Sequence, residues 1–271
     1  MNNIILCTDC SENAQKAIDQ CLYLFKDQPT NYLMLYTYNI EERGISNLVN
    51  YNDALKIKVN ACLESELKRI NKLSYAQNIS ISARSVFGKT ENVLKRFVAK
   101  SKVDLVVIGN QGSNYSSNQL FGSTTKKLLF ELERPKLIVP RHIGELSEKK
   151  KLVVAQDKEL QNIEWWSTIP AFSKNHNMSF KLIVLPNNDT QMTHISIPSF
   201  VENQLSSILD FRQTNTTTIN QKVKEVIQRE RPSLLHLNVQ DHQLTKQLLR
   251  EDQPSNSICN STPFIIQPFR F

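Results

Sequence analysis

Short apolar runs and amphipathic stretches alternate along the first half of the chain. Asn3–Thr8 (NIILCT) is apolar but too short for a helix, so it predicts a buried strand. Ser11–Phe25 sets Ala14, Ala17, Ile18, Cys21, Leu22 and Phe25 on one helical face, with Ser11 and Glu12 marking its start. Tyr32–Tyr38 predicts a second strand, and a loop around Glu41–Asn47 leads into a long amphipathic stretch, Asp53–Ser74. Ile79–Val86 alternates as a third strand, and Thr90–Ser101 is helical. Asp104–Ile108 (DLVVI), Thr124–Glu133 and Lys136–Pro140 (KLIVP) then predict strand, helix and strand. Strands separated by helices make a parallel α/β sheet.

A polar segment, Gly144–Lys150, follows, and the pattern begins again. Lys151–Ala155 (KLVVA) echoes the first strand and Ile163–Lys174 is an apolar-rich helix. Phe180–Leu185 predicts a strand, Ser199–Phe211 a helix, Thr214–Ile219 a third strand and Gln221–Arg229 a helix. Leu234–Asn238 matches the fourth strand, Leu244–Arg250 is a short helix and Phe264–Gln267 a last strand. One order of elements thus occurs twice at a spacing of about 125–150 residues, the signature of a duplicated domain. The expected domains are 1–144 and 151–271, the second diverged.

Composition sharpens that asymmetry. All six glycines (Gly44, Gly88, Gly109, Gly112, Gly122, Gly144) fall in the first 144 residues, which carry 19 basic against 13 acidic side chains. Residues 145–271 carry 14 against 13 and no glycine. The net charge of +7 comes without a basic run interleaved with aromatics, which argues against nucleic acid. With 40% apolar and 22% charged residues the chain can build a core. No apolar run approaches the roughly 18–20 residues of a membrane span, and no secretory signal pattern opens the sequence. Five unevenly spread cysteines read as reduced cytoplasmic thiols rather than a disulfide framework.

The most specific feature is Gly109-Asn110-Gln111-Gly112, then nine residues, then Gly122-Ser123-Thr124. The first glycine ends a buried strand, where φ > 0 is open to it and no Cβ obstructs a ligand. The last opens a helix, whose free N–H groups and positive dipole end suit an anion. Ser123 and Thr124 add hydroxyl donors. The same pattern also fits a glycine-loosened loop with a serine cap.

Following a strand of the type Asp-Leu-Val-Val-Ile, this Gly-x2-Gly-x9-Gly-(Ser/Thr) arrangement resembles the nucleotide-binding signature of the universal stress proteins. Ile4-Ile5-Leu6-Cys7-Thr8-Asp9-Cys10-Ser11-Glu12 resembles that family's first strand and Asp-x-Ser-Glu turn. Val86-Phe87-Gly88 and Leu137-Ile138-Val139-Pro140 resemble its third and closing strands. The resemblance covers residues 1–144; the second copy shares only the order of elements. It implies two tandem Rossmann-like domains of the adenine nucleotide alpha hydrolase-like type, each a five-stranded parallel sheet flanked by helices. It further implies ATP, with or without Mg²⁺, in the first domain. Asp9, with Thr8 beside it, would then hold the ribose or adenine region. Thr37 would offer backbone groups to adenine, Ile108 would also line the nucleotide site, and Gly109, Gly112, Gly122, Ser123 and Thr124 would surround the phosphates. Asn110 and Gln111 depart from the basic or hydroxyl residues often found between the first two glycines.

Other motifs carry less. Cys7-Thr8-Asp9-Cys10 has dithiol spacing, but the strand order does not suit a thioredoxin. Gly88-Lys89-Thr90 imitates the end of a P-loop, yet position 83 is alanine. His142-Ile143-Gly144 lacks a second histidine, the other histidines are scattered, and no nucleophile–base constellation can be read. Asp157 follows its strand as Asp9 does, and a helix cap explains it equally well. The expectation is a cytoplasmic, nucleotide-dependent stress-response regulator acting on a protein partner. Its two halves pair as an intramolecular pseudo-dimer, and a further homodimer is open. A slow ATP-hydrolysing enzyme and a scaffold without nucleotide are the alternatives.

Overall fold

The computed structural model describes residues 2–39, 48–73, 79–112, 120–143, 151–156, 178–185, 205–210, 216–238, 245–246, 249 and 262–266. These fall into two compact units, the first ending at Val139 and the second formed chiefly from Pro140 onward.

The first unit contains β1 (Asn2–Thr8), α1 (Glu12–Phe25), β2 (Thr30–Tyr38), α2 (Leu48–Ile70) and β3 (Ser80–Phe87). It continues with α3 (Thr90–Lys100), β4 (Leu105–Gly109), α4 (Ser123–Glu131) and β5 (Lys136–Val139). The strands run in parallel in the order β3-β2-β1-β4-β5. Central strands are apolar throughout because helices cover both faces of the sheet. In β1, Ile4, Ile5, Leu6 and Cys7 are all buried. The edge strand β3 instead alternates between exposed and half-buried positions, as its sequence predicts.

One face packs Ile5, Leu35 and Val106 against Val93 and Leu94 of α3 and Leu128 of α4. α1 buries the face expected from its spacing. Ser11 caps it, accepting a hydrogen bond from the Ala14 amide at 3.3 Å. Arg69 of α2 ties the two helices together. It donates to Asp19 (2.7 and 3.0 Å) and to the buried Glu66, which also accepts from Gln15 at 3.0 Å.

The second unit contains β6 (Lys151–Gln156), β7 (Ser179–Val184), β8 (Leu205–Asp210), α5 (Thr216–Glu230), β9 (Leu234–Asn238) and β10 (Phe264–Ile266). Its parallel order, β8-β7-β6-β9-β10, repeats that of the first unit strand for strand. One stretch corrects the sequence reading. The third strand is Leu205–Asp210, inside the expected helix 199–211, and the expected strand 214–219 opens helix α5 instead. Leu205, Ile208 and Leu209 have helical spacing, while the three threonines at 216–218 have strand propensity; sheet pairing with β7 overrides both. The expected loop 41–47, linker 144–150, helix 163–174 and Asp157 lie outside the described residues. Of the short helix expected at 244–250, Thr245, Lys246 and Leu249 are described and helical.

Two groups, one buried and one half-buried, make the second unit sensitive to acid. His236 on β9 is 3% exposed, and burial holds its imidazole down at about 4 against an ordinary 6.5. Glu230 is held down at about 2, chiefly by the Lys181 ammonium at 2.6 Å, with Arg229 and Lys151 adding to it. In both cases the unfolded chain takes up a proton that the folded chain refuses, so stability falls as pH falls. The window for His236 runs from about 6.5 to 4, and for Glu230 from about 4.5 to 2. Urea unfolding followed by tryptophan fluorescence reports this half, since Trp165 and Trp166 both lie in it. The midpoint should drop across both windows. His236→Leu should flatten the upper step and Glu230→Gln the lower; a wild-type midpoint constant from pH 7 to 4 contradicts the account.

Candidate functional site

Strand order reverses between β1 and β4, because the chain leaves β1 toward β2 and returns on the other side. Open parallel sheets bind ligands at such a switch point, beyond the carboxyl ends of the strands. A cavity of about 300 Å³ opens there, within the first unit.

One wall is the turn after β1. The Thr8 hydroxyl accepts from the Cys10 amide (3.0 Å) and Asp9 Oδ1 from the Ser11 amide (3.1 Å). The second Asp9 oxygen, Oδ2, faces the glycine loop: a Cβ on Gly112 would lie 2.8 Å from it. Tyr36, near this carboxylate on β2, has its phenol pKa raised by burial and then by the Asp9 charge.

The opposite wall is the glycine loop, held by its carbonyls. Gly109 O accepts from Thr125 Oγ1 (3.0 Å), Asn110 O from the Gly122 amide (2.8 Å) and Gln111 O from Asn13 Nδ2 (2.6 Å). Asn13 Nδ2 also reaches Asn110 Oδ1 at 3.1 Å. In a trans peptide the N–H points opposite to the carbonyl. Tying Gln111 O to α1 therefore turns the Gly112 amide away from that helix.

Two helices begin on this cavity without a capping side chain. α4 starts after Gly122 and α3 after Lys89, and neither N-cap residue makes a side-chain hydrogen bond to its first turn. Thr90 of α3 and Ser123 and Thr124 of α4 line the space. Two helix N-termini aimed at one volume give it positive potential. Thr37 Oγ1 and Thr90 Oγ1 are 2.6 Å apart on the side nearer β2, and Cys7, Leu35 and Ile108 make the apolar lining.

All nine residues singled out from the sequence — Thr8, Asp9, Thr37, Ile108, Gly109, Gly112, Gly122, Ser123 and Thr124 — lie on this wall. Thr90, Gln111 and Thr125 line it as well, and Asn13 stands behind the loop. Thr90 carried a signal: it follows Gly88 at the end of a strand. Asn13 carried none, being a polar residue in the first turn of an amphipathic helix.

The reason for glycine also needs correction. Among the described glycines only Gly88 has positive φ, at 136°. A Cβ on Gly109 would sit 2.5 Å from Asn13 Nδ2 and one on Gly112 2.8 Å from Asp9 Oδ2, so each would force that side chain to shift. A Cβ on Gly122 would meet only ordinary contacts of 3.6 Å or more. The cysteine expectation changes too. Cys10 pairs with Cys62 of α2 in a disulfide, so Cys7 and Cys10 are not partners. Cys7 and Cys21 are free and buried, and burial pushes the Cys7 thiol up to about 12. Among the described residues no group of three His, Cys, Asp or Glu could hold a metal, and no helix is long and apolar enough to cross a membrane.

A doubly wound parallel α/β unit with an anion-suited cavity at its switch point defines the class. The chain belongs to the universal stress protein family, whose sequence profile matches residues 1–140. Solved structures carry the likeness across the whole chain. A universal stress protein from Archaeoglobus fulgidus is 16% identical over 98% of this chain and 96% of its own, with a TM-score of 0.69. A putative universal stress protein from Pseudomonas aeruginosa is 10% identical over 99% and 93%, with a TM-score of 0.57. A universal stress protein solved in complex with cAMP is 21% identical over 51% and 96%, at 0.40. No curated protein matches the sequence.

The contact between Gly109 and Asn13 gives a two-site test. Gly109→Ala alone should destabilise the chain by about 1–3 kcal/mol, the usual range for overpacking. Asn13→Ala in the same chain should return part of that loss, because it removes the atom the new methyl meets. Additive losses in a double-mutant cycle would place the origin of the glycine requirement elsewhere.

Proposed function

We propose that residues 1–144 form a nucleotide-binding domain that takes ATP, and that residues 151–271 form a diverged copy that takes none in this manner. The observation that carries the reading is the meeting of two uncapped helix N-termini with a loop in which the carbonyls of Gly109, Asn110 and Gln111 are drawn back. Such a surface offers N–H donors and positive potential and suits phosphate oxygens. The phosphates then lie along Gly109, Gly112, Gly122, Ser123 and Thr124. Asp9 Oδ2 receives the ribose hydroxyls, and the base enters between Ile108 and the Thr37–Thr90 pair. Magnesium bound to the triphosphate would meet one carboxylate among the described lining residues, that of Asp9, which would help to hold it. The role is that of a regulator whose surface changes with occupancy, since no nucleophile–base pair is hydrogen-bonded together among the described lining residues. The second domain has no glycine with which to form such a loop.

Titration calorimetry with ATP and Mg²⁺ should give one site per chain. Gly112→Val should abolish binding, because its side chain would fill the space before Asp9 and the phosphates. Asp9→Ala should weaken ATP at least tenfold, about 1.4 kcal/mol, and leave pyrophosphate unchanged. Two sites per chain, or full affinity in Gly112→Val, would sink the assignment.

A further inference from the structure

The geometry points to Cys10 and Cys62 as a thiol–disulfide exchange site that locks the ligand-facing turn of the first unit. Cys10 directly follows Asp9, and Cys62 lies within α2; the disulfide joins Cα atoms 6.6 Å apart across 52 residues of sequence. Both cysteines are half-buried and so more open to a small thiol than Cys7 and Cys21, which are 6% and 0% exposed. Among the described residues, exchange chemistry therefore falls on this pair.

What the bond holds is the backbone that aims Asp9. Cys10 has φ of 59°, a left-handed conformation that a residue with a Cβ rarely adopts. Its amide is committed to Thr8 Oγ1 and the next amide to Asp9 Oδ1; a change of φ at Cys10 leaves the first bond in place but breaks the second, which frees the carboxylate. α2 is the fixed end of the link. Arg69 and Glu66 keep that helix on α1 through Asp19 and Gln15, whatever the state of the sulfurs. Opening the bond thus frees the turn and leaves the helix in place.

The chemistry needs a dithiol reductant. Its thiolate attacks one sulfur, forms a mixed disulfide and expels the other cysteine as a thiolate. The second reagent thiolate then attacks the first reagent sulfur and expels the remaining cysteine as its thiolate. Two electrons and two protons pass to the chain, and the reagent leaves as its own disulfide. A disulfide oxidant such as oxidised glutathione runs the sequence backwards.

The consequence for the ligand rests on the nucleotide reading; the lock itself does not, and two measurements separate them. Full-length chain is oxidised with glutathione disulfide or reduced with dithiothreitol. Peptide mapping of the oxidised chain should show Cys10 joined to Cys62. Amide hydrogen exchange without ligand should be slower at residues 9–12 in the oxidised form. Reduction should weaken ATP roughly tenfold, the ratio that 1.4 kcal/mol sets. Cys62→Ser, outside the cavity wall, should behave as reduced in both buffers. Absence of the cross-linked peptide, or equal exchange at the turn, overturns the proposal. Equal ATP affinity of the two forms does so too. If ATP binds neither form while the exchange difference persists, the lock stands and the nucleotide reading alone fails.

Discussion

Where β1 and β4 part, two chain segments leave the sheet in opposite directions and their backbone groups lose the ladder. A buried amide or carbonyl left without a partner costs as much as a lost hydrogen bond, so each must be met locally. The turn after β1 meets them with its own side chains, Thr8, Asp9 and Ser11. The loop after β4 meets them by reaching outward to α1, α4 and β5 through Asn13, Gly122, Thr125 and Val139. Every bond of the second kind takes a carbonyl away from the cavity, Asn110 N to Val139 O being the exception. Satisfying the backbone and presenting a donor-rich surface are here one arrangement. Atoms of Asp9, Asn13, Gly109 and Gly112 stand so close for the same reason.

How much of this was legible in the sequence depended on the range of the signal. Strands β1, β2, β4 and β5 are apolar runs bounded by turns, and α1 carries its face in its spacing. Such elements announce themselves within ten or fifteen residues. The glycine loop was legible because its glycines are spaced in one segment. Leu205–Asp210 and residues 216–219 were read the wrong way round because each is short or β-branched enough to suit either state. Sheet pairing decided between them, and pairing is not written in the segment. The Cys10–Cys62 bond lay beyond reading for a simpler reason: a nearer cysteine, Cys7, offered a familiar spacing, and only the fold brings α2 to the turn. Asn13 was invisible because its use lies 97 residues away.

The two units share a strand order but not a chemistry. In the first, Gly109 and Gly112 stand where the side chains of Asn13 and Asp9 occupy the space that a Cβ would need. Residues 145–271 contain no glycine at all, yet β6, β7 and β9 are as thoroughly buried as their counterparts. The core of this fold is thus independent of the loops above it. Burial and pairing maintain the sheet, and the site is an addition at one end that a copy can lose without losing the fold.

Pairing of β1 with β4 also sets an order of events at the ribosome. Ile4 lies opposite Leu105, and the Asn3 amide is held by the Asp104 carboxylate. β2, made first, can settle on one side of β1 early, but the other side stays open until about a hundred more residues have emerged. At ordinary rates of synthesis that interval is roughly 5–20 s. Only when Thr125 follows can it close on Gly109. Throughout that time an apolar strand edge is exposed in the nascent chain. The segment that later frames the cavity is then the part of the protein most in need of protection from other chains.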